Sequence, residues 1–156
     1  MSSKIKAIAS FSDAIARYQA AVDDFDRECA RVLGVNETDL RCLEILIRER
    51  HEATPRLLAD QLGLTTGSVT TMLDRLEKMN YVARSAHPKD RRKVIVSATP
   101  QAVRRAGDLI APLIADGNDL LRGYTVAQLE LVKDVLVHIT DLQDRHTARL
   151  RQTDGG

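Results

Sequence analysis

Cysteine, aromatic residues, net charge and long apolar runs are all scarce in this chain, and each scarcity removes a class of protein. Two cysteines in 156 residues, Cys29 and Cys42, cannot form the framework of a disulfide-stapled secreted domain. A reduced, cytoplasmic setting is therefore expected. The opening MSSKIKAIAS lacks the apolar stretch of a signal peptide, and nothing reaches the length needed to cross a bilayer, so no membrane association is expected. Lys and Arg number 23 against 22 Asp and Glu, a net charge of +1, so no global basic field advertises nucleic acid. The four histidines, His51, His87, His138 and His146, make no HExxH pattern, and the cysteines make no CxxC. No glycine-rich phosphate loop, Ser/His/Asp set or pair of catalytic carboxylates stands out. Neither an enzyme, a metal nor a cofactor is expected. The length suits one domain with a fair core.

What is present is concentrated between Thr54 and Ser97. Thr54 has the side chain of an N-cap, and Pro55 fits the first helical position, where its missing N–H costs nothing. Leu58 and Leu62 share a face, and Gly63 is a stop signal. A second helix begins almost at once, capped by Thr65 or Thr66. Its apolar stripe is Val69, Met72, Leu73 and Leu76, at helical spacing. The opposite side carries Gly67, Thr70, Thr71, Asp74 and Lys78, flanked by Ser68 and Arg75. Small hydroxyls and helix N-terminal amides can approach phosphates and base edges closely. Gly67 costs up to about 1 kcal/mol of helix propensity, offset by close backbone approach. The plain alternative is that these hydroxyls only solubilise a surface helix.

The second helix ends at Met79-Asn80, where Asn tolerates the left-handed conformation. Tyr81–Ser85 and Lys93–Ser97 read as short strands, the second rich in β-branched residues. Between them lies AHPKDRR, with turn chemistry at Pro88 and Asp90. Arg84, Lys89, Arg91, Arg92 and Lys93 gather here against the single acid Asp90. From Thr65 to Lys93 the local balance is +4, which the rest of the chain offsets. Helix, turn, helix and basic ribbon is the order of a winged helix-turn-helix, whose usual work is to place one helix in the DNA major groove and the ribbon beside it.

The segments LADQLGLTTGSVTTMLDRLE, YVAR and HPKDRRKVIVSAT resemble the MarR family of bacterial transcription regulators. Leu33-Gly34-Val35 with Thr38-Asp39-Leu40-Arg41 resembles the join between the family's first two helices, so the likeness covers about residues 30–100. It implies a mainly α fold: a winged helix-turn-helix with a two-stranded β wing and N- and C-terminal dimerisation helices. The implied major-groove residues are Thr65, Thr66, Gly67, Ser68, Thr70, Thr71 and Arg75. The implied wing residues are Arg84, Lys89, Asp90, Arg91, Arg92 and Lys93. Within the wing, Arg92 enters the minor groove, Asp90 holds the Arg92 side chain by a charge-assisted hydrogen bond, and Arg91 meets a phosphate. Repression relieved by a small aromatic or phenolic effector is also implied, although aromatics make only 3% of the chain and no pocket residues can be named. The sequence departs from the family at Asn80 and Ala102, where glycine is common. Some relatives bind zinc or sense peroxide through a cysteine. Here Cys29 lies on an apolar stripe eleven residues from Tyr18, so core cysteines are the simpler reading.

The flanks are helical by pattern. Ile8, Phe11, Ile15, Tyr18, Val22, Phe25, Cys29 and Val32 alternate by three and four, a heptad-like seam. Thr99-Pro100 caps a helix running toward Arg122, which Pro112 should kink. Thr125 opens a last helix bearing Val126, Leu129, Val132, Leu136, Ile139 and Leu142. These stripes exceed what a small winged domain can cover. Residues 1–35 and 99–156 are therefore expected to form a dimerisation region around a DNA-binding region at 36–98. A two-fold homodimer would suit a palindromic operator in double-stranded DNA. The alternatives are a monomer whose terminal helices pack together, and a winged-helix protein-interaction module without DNA binding.

Overall fold

The computed structural model describes residues 3–49 and 52–153, with the side chains at 49, 91 and 153 outside that description; His51 also lies outside it. The order is α1 (Ser3–Leu33), α2 (Glu37–Glu44), a π-helical turn (Ile45–Glu49), β1 (Glu52–Ala53), α3 (Pro55–Leu62), α4 (Thr66–Lys78), β2 (Val82–His87), β3 (Asp90–Ala98), α5 (Pro100–Leu121) and α6 (Val126–Thr153). The chain forms two compact units, one ending at Ile110 and the other beginning at Ala111.

Local chemistry sets most boundaries in the first unit. Asn36 caps α2 by accepting from the Asp39 N–H at 2.8 Å, and Glu37 and Asp39 place negative charge at the positive end of that helix. Thr54 caps α3 through the Leu57 N–H, and Gly63 ends it at φ 66°. Thr65, of the two candidates, caps α4 through the Ser68 N–H. Asn80 adopts φ 57°, so the chain turns out of α4 through a left-handed asparagine where glycine is the easier residue. The apolar faces of these helices meet in one core around Leu43, Leu46, Leu58, Val69, Leu73 and Leu76, all essentially inaccessible.

The sheet differs from the expected ribbon in two ways. It has three strands in the order β1-β3-β2, all antiparallel, because Glu52 and Ala53 pair with Ser97 and Val96. Two residues before a helix cap carry too little pattern to read as a strand. The wing is also paired further out than expected. Its ladder runs from Val82 opposite Ala98 to His87 opposite Asp90, with an irregularity at Ala86/His87, leaving Pro88 and Lys89 as the turn. Charged residues pair through their backbones as well as any, so Asp90, Arg91 and Arg92 belong to β3 and not to a loop. Tyr81 precedes the strand instead of opening it.

Tyr81 is buried at the joint between α4 and β2. Its hydroxyl donates to the Leu33 carbonyl at the end of α1, 2.8 Å away, and accepts from Arg105 Nη1 on α5 at 2.5 Å. The Arg105 guanidinium also lies 5.6 Å from the Tyr81 ring centroid, a cation–π distance. Thr99 closes the same joint: its Oγ1 donates to the Asn80 carbonyl and accepts from the Ala102 N–H, which caps α5. The end of α1 and the start of α5 are thereby fastened to the winged core. Α5 continues through Pro112, the expected kink site.

In the second unit, Thr125 and Gln128 form a reciprocal capping box at the start of α6. The Thr125 N–H donates to Gln128 Oε1 at 2.8 Å and the Gln128 N–H to Thr125 Oγ1 at 3.3 Å. Leu121, Leu129, Val132, Leu136 and Val137 line an open apolar groove within this unit.

Candidate nucleic-acid interface

Helix α4 presents an open polar face. Thr65, Thr66, Gly67, Ser68, Thr70 and Thr71 are all exposed. Thr70 Oγ1 donates to the Thr66 carbonyl and Thr71 Oγ1 to the Gly67 carbonyl, 3.0 and 3.2 Å away. Thr65 Oγ1 donates to Ser68 Oγ at 2.9 Å. These bonds use the hydroxyl protons of Thr65, Thr70 and Thr71, and the oxygens of the exposed Thr70 and Thr71 keep lone pairs that can accept. A Cβ at Gly67 would meet nothing within 4 Å, so no neighbour among the described residues demands glycine there. An external surface approaching that backbone would.

Two arginines expected to face DNA are occupied within the fold. Arg75 Nε and Nη2 donate to Asp39 Oδ2 and Oδ1 at 2.8 and 2.6 Å, a two-pronged bond from α4 to α2. Asp39 is wholly buried, while 43% of the Arg75 side chain is exposed. The hydrogen bonds that Arg75 donates to Asp39 push the Arg75 pKa above its ordinary value; desolvation opposes the shift and the Coulombic attraction of Asp39 adds to it. Arg84 turns back from the wing onto α4. Its Nη1 donates to Asp74 at 2.7 Å and Glu77 at 3.2 Å, and its Nη2 to the Thr70 carbonyl at 3.3 Å. It thus ties the root of the wing to α4, and lies away from the tip.

At the tip, Lys89, Arg92 and Lys93 are exposed. Asp90 Oδ1 accepts from the backbone N–H of Arg92 at 3.1 Å, and its other oxygen lies 4.0 Å from Lys93 Nζ. Asp90 therefore shapes the backbone under Arg92, where the resemblance implied a bond to the guanidinium. A carboxylate two residues before an N–H closes a local turn more readily than it reaches a long flexible side chain. His87 Nδ1 accepts from the Lys89 N–H at 3.1 Å and braces the turn. The Arg91 side chain lies outside the described residues.

Asp39, Tyr81 and Arg105 were missed by sequence reasoning as organising residues. Asp39 shows only the weak signal of an acid in a first helical turn, and its partner is 36 positions away. The cysteines are buried and unpaired. Burial pushes the Cys42 thiol up to about 12, with Asp39 adding to the effect, and burial also raises Cys29. Both shifts oppose thiolate formation. Among the described residues no group of three or more His, Cys, Asp or Glu could hold a metal, and no helix is long and apolar enough to cross a membrane.

Comparison with known proteins accords with this geometry. Residues 35–94 match the MarR family. The HTH-type transcriptional regulator YcgE of Bacillus subtilis strain 168 is 38% identical over 128 residues, which is 82% of either chain. The crystal structure of the YusO protein from Bacillus subtilis superposes with a TM-score of 0.63 at 19% identity, covering 90% of this chain and 99% of that one. A MarR family transcription regulator designated SP03579 does so with a TM-score of 0.69 at 15% identity, covering 91% and 93%. This chain belongs to the MarR family of helix-turn-helix transcription regulators, and is a DNA-binding regulator, not an enzyme.

Proposed function

We propose that two copies of this chain grip one palindromic operator. Residues 36–98 of each copy read DNA, and residues 1–35 and 99–156 form the dimer. The observation that supports this most is the pairing of an exposed hydroxyl face on α4 with exposed cations on a wing held to that helix by Arg84. Thr65, Thr66, Gly67, Ser68, Thr70, Thr71 and Arg75 approach the major groove. Arg92 enters the minor groove, and Lys89, Arg91 and Lys93 neutralise phosphates. Exposed apolar residues on α1, α5 and α6, such as Phe11, Leu113 and Leu136, each supply apolar surface for a second copy to cover. The family resemblance supports repression as the direction of control and the cytoplasm as the place of work.

Selection of bound DNA from a random pool at stated salt, followed by fluorescence anisotropy on the enriched site, tests this reading. Arg92→Ala is expected to weaken operator binding by about 1–3 kcal/mol, the worth of one good base contact, with the fold intact. Unchanged binding removes Arg92 from the interface, and a flat response to all DNA removes the reading. Relief by a small aromatic or phenolic effector rests on the resemblance alone. A panel of phenolic acids tests it: a raised melting temperature reports binding, and a changed operator affinity reports coupling.

A further inference from the structure

The α4 residue with the strongest tie to the scaffold still keeps part of its side chain open. Arg75 is held by Nε and Nη2 on a carboxylate that no solvent reaches, yet 43% of its side chain is exposed. A guanidinium has five N–H donors in one plane, and the Asp39 carboxylate takes two of them. Nη1 has no hydrogen-bond partner among the described residues. On α4, Arg75 lies four residues beyond Thr71 and seven beyond Ser68, so it continues the stripe those two hydroxyls begin.

We infer that Asp39 is a positioning residue for base recognition: from α2, where it touches no DNA, it aims the free edge of Arg75 at one base pair of each half-site. The chemistry that edge fits is a pair of acceptors in a plane, as guanine presents at O6 and N7 in the major groove. A free arginine side chain must lose rotamer freedom before it can read a base. One already forked onto a buried carboxylate has lost it on folding, and its donors point one way. Asp39 is itself held, because its N–H donates to the Asn36 cap and its side chain is enclosed. This inference rests on the proposed operator reading, and assigns one position of specificity within it.

The test repeats the random-pool selection on full-length wild type, Asp39→Asn and Arg75→Lys at one fixed salt concentration. Asparagine keeps the shape of Asp39 but loses one acceptor and the charge; lysine keeps the charge of Arg75 but loses the fork. Both variants are expected to lose about tenfold discrimination at the same single base pair of each half-site. The other positions should keep their wild-type base preferences. Even loss across all positions would mean the pair only supports the helix and would overturn the inference, as would unaltered motifs. If Asp39→Asn does not reach the wild-type melting temperature, Asp39→Glu replaces it, and loss at a position other than the Arg75→Lys one overturns the inference. A wild type that enriches no motif would instead sink the operator reading itself, a result distinct from intact selection by all three proteins.

Discussion

The winged core and the last helix treat apolar side chains in opposite ways. Between Leu40 and Val96 most large aliphatic residues are enclosed, whereas no described residue of α6 is fully buried. The same holds for much of α1, where Ile8, Phe11 and Tyr18 are exposed although their spacing is as regular as any in the chain. Periodicity therefore marks a face that needs covering without saying what covers it. In the core the cover is the chain itself; at the ends the proposed cover is a second copy. The reading head should then be stable by its own contacts, and the ends by mass action.

The sharpest way to break this contrast is Leu76→Ala. A fully enclosed leucine on α4 should cost about 2–5 kcal/mol in denaturant unfolding, through lost burial and the cavity left behind. That loss should be independent of protein concentration, and a strong dependence would erase the distinction. The double change Val132→Glu with Leu136→Glu should act oppositely. Self-association by sedimentation should weaken by more than about tenfold, or about 1.4 kcal/mol, while the circular dichroism of the winged core persists. A dimer of undiminished strength would place the interface elsewhere.

Alkaline pH probes the core through Cys42. Cys42 titrates at about 12 in the fold against an ordinary 9.0. Above pH 9 the unfolded chain releases this proton and the folded chain retains it, so unfolding becomes more favourable as pH climbs. Stability present below pH 9 should fall by up to about 1.4 kcal/mol per unit toward pH 12. Cys42→Ala should flatten that part of the curve in chemical denaturation. The smallest expected effect is at the joint. Tyr81→Phe removes the hydroxyl that bonds the Leu33 carbonyl and Arg105, and should cost about 1 kcal/mol in the same assay, since the ring stays in place. A loss as large as that of Leu76→Ala would make the joint, not the aliphatic core, the main support of the head.

Much of the head was legible because its signals are local. Thr54, Pro55 and Gly63 bound α3, Thr65 caps α4, and Asn80 turns out of it, each by chemistry within four residues of its target. The parts that were not legible depend on distance in sequence. Arg75 reads as a surface cation until the fold brings Asp39 to it from α2. Arg84 reads as part of a basic wing until Asp74 and Glu77 claim it. Strand β1 is two residues long and exists because β3 offers an edge. The tight turn at Pro88-Lys89 was hidden because charged residues were read as loop where the backbone is paired.

The wing's third strand has a mechanical consequence. Near its root, at Val96 and Ser97, β3 is flanked by neighbours on both sides; toward Asp90 it has one. Deuterium should enter last at the base of this finger and first at its end, a gradient along a single strand. A duplex would meet a pliant fingertip on a stiff knuckle, able to follow a groove of varying width while the helix beside it keeps its bearing.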